Sequence, residues 1–118
     1  MVKINIGKRS LEIDAKKVAS LGMFSGLMFR SKNTKNLLFE FSKPKRAAIH
    51  SLFVFFPFAA LWLDDKNNLV DSHYVEPFTL SVSPKRPARR LIELPTNKKN
   101  KYILRLLDDK ERFKYKRL

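Results

Sequence analysis

The stretch Ala47-Ala48-Ile49-His50-Ser51-Leu52-Phe53-Val54-Phe55-Phe56-Pro57-Phe58-Ala59-Ala60-Leu61-Trp62-Leu63 contains no Lys, Arg, Asp or Glu. Its length, about 17 residues, sits at the lower limit for a membrane-spanning helix, and His50, Ser51 and Pro57 interrupt it. Ile49, Phe53, Val54, Phe55 and Phe56 favour strand over helix, so residues 47–56 read as a strand buried on both faces. Pro57 cannot donate to a ladder and marks a bulge, a bend or the start of the next strand, residues 58–63.

Outward from this core, Asp64-Asp65-Lys66-Asn67-Asn68 is a turn signal, and residues 69–75 return as the second arm of a hairpin. Pro77, Pro84 and Pro87 make residues 78–87 an extended loop, after which residues 88–94 resume as a strand. Pro95-Thr96-Asn97 breaks the chain again, and residues 101–107 read either as a strand or as the start of a terminal helix. Upstream, Leu37-Leu38-Phe39-Glu40-Phe41 is a strand between a polar loop and Pro44. The N-terminus alternates polar and apolar residues as a first strand, Gly7 suggests a turn, and residues 8–14 alternate again. Asp14 is a good N-cap for a short helix over residues 15–28, which Gly22 and Gly26 weaken. The expected fold is mainly β: a small sandwich or barrel-like domain with one short helix.

A chain of 118 residues has room for one core. The expected division is a single β-rich domain over residues 1–107 and a basic C-terminal tail or edge element over residues 108–118. With 44% hydrophobic residues and ten Phe, the chain needs no disulfide or metal to hold together. Cysteine is absent, which excludes thiolate chemistry and suggests a reducing, cytoplasmic compartment. No secretory leader is visible in the alternating N-terminus.

The order of short motifs is informative. Gly26-Leu27-Met28-Phe29-Arg30 is followed by Leu37-Leu38-Phe39-Glu40-Phe41 and then by Ile49-His50 leading into Phe53-Val54-Phe55-Phe56-Pro57. Leu61-Trp62-Leu63-Asp64 and Ala88-Arg89-Arg90-Leu91-Ile92-Glu93-Leu94-Pro95 complete the series. The succession resembles the domain of unknown function 192 family, especially its archaeal-type members, over about four fifths of the chain. The resemblance implies a compact, mainly β fold and supplies no mechanism. It also implies an acidic residue shortly after the proline, where this chain has Ala59, and a Gly-containing, partly acidic ending in place of the basic one here.

No catalytic constellation stands out. His73 and Glu76 would lie on opposite faces of a strand, and Asp64 and Asp65 are explained by local turn bonds. No phosphate-binding loop, nucleophile elbow or zinc-ligand spacing occurs. No cofactor, no metal site and no catalytic residue are therefore expected. Arg30 and His50 are the candidates for a small-ligand pocket, although a core His hydrogen-bonded to backbone is the simpler reading of His50.

Charge is the strongest functional signal. The net charge is +14, and residues 85–118 carry 13 Lys and Arg against 4 acids. Solubility alone needs a net charge of about 2–8. The expected function is non-enzymatic binding of a polyanion such as RNA, DNA or an acidic or ribosomal surface. Candidate contacts are Lys85, Arg86, Arg89 and Arg90, then Lys98, Lys99 and Lys101. The terminal Arg112, Lys114, Lys116 and Arg117 add to these, interleaved with Phe113 and Tyr115 as a strip suited to phosphates and bases. Alternatives are a pocket protein for a small or carbohydrate ligand and a weak hydrolase-like enzyme.

Overall fold

A computed structural model describes residues 1–18 and 27–109 of the chain. The strands are β1 (Val2–Ile6), β2 (Arg9–Ile13), β3 (Ala15–Lys17), β4 (Asn36–Lys45), β5 (Phe58–Leu63), β6 (Leu69–Val75) and β7 (Ala88–Pro95). A single 3-10 turn, Lys98–Asn100, leads into α1 (Lys101–Asp109). β1 and β2 form a hairpin, and the other strands form one sheet in the order β3-β4-β7-β5-β6. β3 runs parallel to β4, and every other pairing is antiparallel. The sheet is open, with β3 and β6 at its edges, so the arrangement is sandwich-like and not a closed barrel.

Both faces of this sheet are covered, which is why the central strand β5 reads as an unbroken apolar run. Its Ala59, Leu61 and Leu63 join Ile92 and Leu94 of β7 in one core. Ile4, Ile6 and Ile13 of the hairpin, with Ile103, Leu104 and Leu107 of α1, close that face. Each of these fully buried aliphatic side chains contributes about 1.5–3 kcal/mol of transfer free energy. On the opposite face, Phe58, Ala60 and Trp62 pack with Leu37, Phe39 and Phe41 of β4, and Ile49, Val54 and Phe56 lie over them.

Residues 47–56 therefore have another role than the one their composition suggests. They are not a strand but a covering loop, held to residues 78–82 by a short bridge between Ile49 and Val82. The ladder positions beside β5 are already filled by β6 and β7. Ser51, fully buried, anchors the loop: its N–H donates to the Thr79 carbonyl at 2.9 Å and its hydroxyl donates to the Glu76 carbonyl at 2.6 Å. Residue alternation then buries Val54 and Phe56 and leaves Phe53 and Phe55 exposed.

The helix expected over residues 15–28 is also corrected where it is described. Ala15–Lys17 is β3, paired with Asn36–Leu38, and the Val18 N–H donates to the Leu38 carbonyl at 2.9 Å. Residues 27–29 form a turn, and residues 19–26 lie outside the described residues. Among the described residues the one α-helix is α1, which follows β7. Pro44 does not end its strand either. The register between β4 and β7 shifts between Glu40 and Lys45, and this bulge carries the proline past the ladder.

Candidate functional site

The basic segment that is continuous in sequence is divided in space. Lys85 and Arg86 precede β7, whereas Lys98, Lys99 and Lys101 follow it. The eight residues of this strand separate the two groups by roughly 23 Å, taking about 3.3 Å per residue. At the first end, Lys45 pairs across from Ala88 and the Arg46 Nε donates to the Pro84 carbonyl at 2.9 Å, which gathers Lys45, Arg46, Lys85 and Arg86. At the second, Asn97 Nδ2 donates to the Lys32 carbonyl at 2.8 Å, which brings Lys32 beside Lys98 and Lys99. All of these cations are exposed.

Arg89 and Arg90 behave differently from their neighbours. Both are half-buried. The Arg89 Nε donates to the Phe41 carbonyl at 3.1 Å. The Arg90 Nη1 donates to the Asn67 Oδ1 at 3.0 Å and lies 3.3 Å from the Asp65 carbonyl, so it clamps the β5–β6 turn. Arg112, Lys114, Lys116 and Arg117 fall outside the described residues.

The anions are mostly engaged inside the molecule. Asp64 accepts from the Lys66 N–H at 2.9 Å and the Asn68 N–H at 2.8 Å, as its place in the turn suggests. Burial pushes its carboxyl up, but these two N–H bonds, the Asn68 side chain and the Lys66 charge outweigh that and hold it below the usual carboxylate range. Asp71 accepts from the Ser72 and Lys85 N–H groups, each at 2.9 Å, and faces His73 Nε2 at 3.2 Å. His73, whose ring stands edge-on to Trp62 at 5.6 Å, thus pairs with Asp71 two residues before it and not with Glu76. The i, i+2 spacing was the available signal.

The two pocket candidates come into the same region through their neighbours. The Phe29 N–H donates to the Phe53 carbonyl at 3.0 Å, which sets the 27–30 turn against the loop that carries His50. Arg30 itself is exposed and reaches the Thr34 hydroxyl at 3.4 Å, and the half-buried His50 accepts from the Leu52 N–H at 3.1 Å through Nδ1. Among the described residues, no three His, Asp or Glu side chains gather as a metal site would require.

What the sequence reading missed is a surface of rings. Phe29 and Phe53 stack at 5.2 Å with 19° between their planes, and Phe78 meets Phe53 at 6.1 Å and Phe55 at 5.4 Å edge to face. All four are exposed, from 47% for Phe53 to 71% for Phe29. Phe29, Phe53 and Phe78 each hold φ near +60°, a left-handed backbone that costs a bulky residue about 1–2 kcal/mol. Burial does not explain that strain, because the rings it places are wet.

The fold and its motifs match a known family. A family model for DUF192, described as Uncharacterized ACR, covers residues 5–106. The chain belongs to this family. As a DUF192 member it carries Ala59, fully buried, where the family resemblance implies an acid. Two solved structures share the fold at a TM-score of 0.67. One is a proposed transcription regulator from Sinorhizobium meliloti 1021, with 14% identity over 86% of this chain and 81% of that one. The other is a protein of unknown function from Novosphingobium aromaticivorans DSM 12444, with 10% identity over 86% of this chain and 75% of that one. Comparison with curated proteins gives no match.

Proposed function

We propose that this DUF192 protein is a non-enzymatic nucleic-acid-binding module, which holds phosphates with the exposed cations at the two ends of β7. The observation that supports this reading is how few of those cations are neutralised internally. Lys17 pairs with Glu40 at 3.4 Å, away from both ends of β7, and neither side chain is buried. On a chain of net charge +14, Lys45, Lys85 and Arg86 at one end of β7 and Lys98 and Lys99 at the other are exposed and open to an external anion. Lys45, Arg46, Lys85 and Arg86 form the group best defined by the backbone contacts that gather them.

Fluorescence anisotropy with labelled DNA and RNA across a salt series tests the proposal. Phosphate contacts release counterions, so log K should fall linearly with log salt, by about 0.7–0.9 per contact. Sequence preference should be weak, because phosphate contacts carry no direct base information. Absence of measurable binding to any nucleic acid at low salt would refute the reading.

A further inference from the structure

We propose that Phe29, Phe53, Phe55 and Phe78 form a stacking platform for the unpaired bases of a single-stranded nucleic acid. The inference rests on the nucleic-acid reading above and names the form of the ligand. Three observations carry it. The rings touch one another and yet remain largely exposed, so the cluster is a surface and not part of the core. Phe29 lies nearly parallel on Phe53 and is the most exposed of the four, which leaves a flat apolar face of the kind a base covers. Left-handed backbone at Phe29, Phe53 and Phe78 fixes these rings at a strained site, as ligand-clamping segments do.

Charge selects among occupants. The partner must offer flat apolar groups to the rings and anions to a chain of net charge +14. A second copy meets the first condition and fails the second, since it brings the same positive charge to the contact. Unpaired nucleotides meet both, whereas the bases of a duplex are stacked on each other and closed to the platform.

The test compares three labelled probes of equal phosphate number over the same salt series: an oligothymidine strand, the same strand with abasic sugars, and a duplex. Wild type should bind oligothymidine roughly tenfold or more above the abasic strand, the gain expected of one or more stacked bases. Phe29→Ser and Phe55→Ser, chosen because these two rings are most exposed, should lower oligothymidine affinity to the abasic level. They should leave abasic affinity and the salt slope at wild-type values, with an unchanged circular dichroism spectrum confirming the fold. Equal wild-type affinity for the normal and abasic strands overturns the platform and leaves the phosphate reading standing. No binding to any probe removes both. Variants that keep full oligothymidine affinity but lose self-association in sedimentation, or lose binding to anionic phospholipid vesicles, would assign the rings to a second copy or a membrane and overturn the proposal.

Discussion

Asn36 and Asn100 exchange side-chain hydrogen bonds, with the Asn100 Nδ2 donating to the Asn36 Oδ1 at 2.7 Å and the Asn36 Nδ2 donating back at 3.0 Å. The second hydrogen of Asn100 Nδ2 goes to the Pro95 carbonyl at 2.7 Å, and that of Asn36 goes to the Asp14 carbonyl at 3.0 Å. Two amides thus tie the start of β4, the end of β7 and the entry to α1 at a buried point. This fixes the angle at which the helix meets the hairpin core.

Replacing Asn100 with Ala should therefore cost about 1–3 kcal/mol, because the amide pair is lost and the Pro95 carbonyl keeps only the Asn97 N–H, at 2.9 Å, of its two donors. Asn100→Asp keeps the shape but turns two donated bonds into facing oxygens, so it should destabilise at least as much at neutral pH. Urea unfolding followed by the fluorescence of Trp62, the one Trp of the chain, measures both. A midpoint within error of wild type for either variant would contradict the argument.

Asp64 gives the protein an acid-sensitive turn. Its carboxyl titrates below the ordinary value in the folded state, so the unfolded state binds the proton more readily. The stabilisation is full above about pH 3.9 and is lost as pH falls through the folded value. Asp64→Ala should weaken the protein by about 1–2 kcal/mol at pH 7, and the gap to wild type should close in strong acid. Denaturant midpoints of the two proteins at a neutral and a strongly acidic pH decide it; a pH-independent gap would show that the charge is irrelevant to the turn.

Ala59 occupies the place where the family resemblance implies an acid, yet it lies fully buried with Ile92, Leu94 and Ile103 around its core. An ionised carboxylate there would need a partner that this apolar set does not supply. Ala59→Asp should destabilise the fold by about 3–5 kcal/mol, seen as a large drop in melting temperature. A variant of unchanged stability would mean that the site can open to water or a cation.

These positions show how much of the molecule was legible beforehand. β5, β6 and their turn followed from period and turn chemistry, since Asp64 bonds locally and Asn67 accepts a φ of 63°. Residues 47–56 were misread because a loop that seals a core and a strand buried in it have the same apolar composition. Asp14 promised a helix, but Ala15–Lys17 pairs with β4 instead, a long-range outcome that outweighs a local cap. In α1 the spacing of Ile103, Leu104 and Leu107 was visible, though nothing local said whether the segment would coil or extend. Basic residues were found by counting, whereas their division by β7 is a matter of topology. No sequence signal marks the phenylalanines as exposed, because their placement depends on three positive φ angles.

The sharpest consequence of that topology concerns neighbours in sequence that should answer opposite tests. Lys85 and Arg86 are exposed, and no bond restrains their charged heads among the described residues, whereas the Arg90 guanidinium is spent on the Asn67 side chain and the turn carbonyls. Arg90→Gln should therefore lower stability by about 1–3 kcal/mol, since several carbonyl and amide oxygens lose a charged donor, and leave nucleic-acid affinity within about twofold once the folded fraction is accounted for. Lys85→Gln with Arg86→Gln should do the reverse. Stability should stay within about 0.5 kcal/mol of wild type, as is usual for wet surface positions. The salt slope for a single strand should flatten by about 0.7 for each phosphate contact removed. Both variants are to be carried through urea unfolding and anisotropy titration side by side. If Arg90→Gln flattens the slope while Lys85→Gln with Arg86→Gln leaves it unchanged, the phosphates lie along β7 and not at its ends.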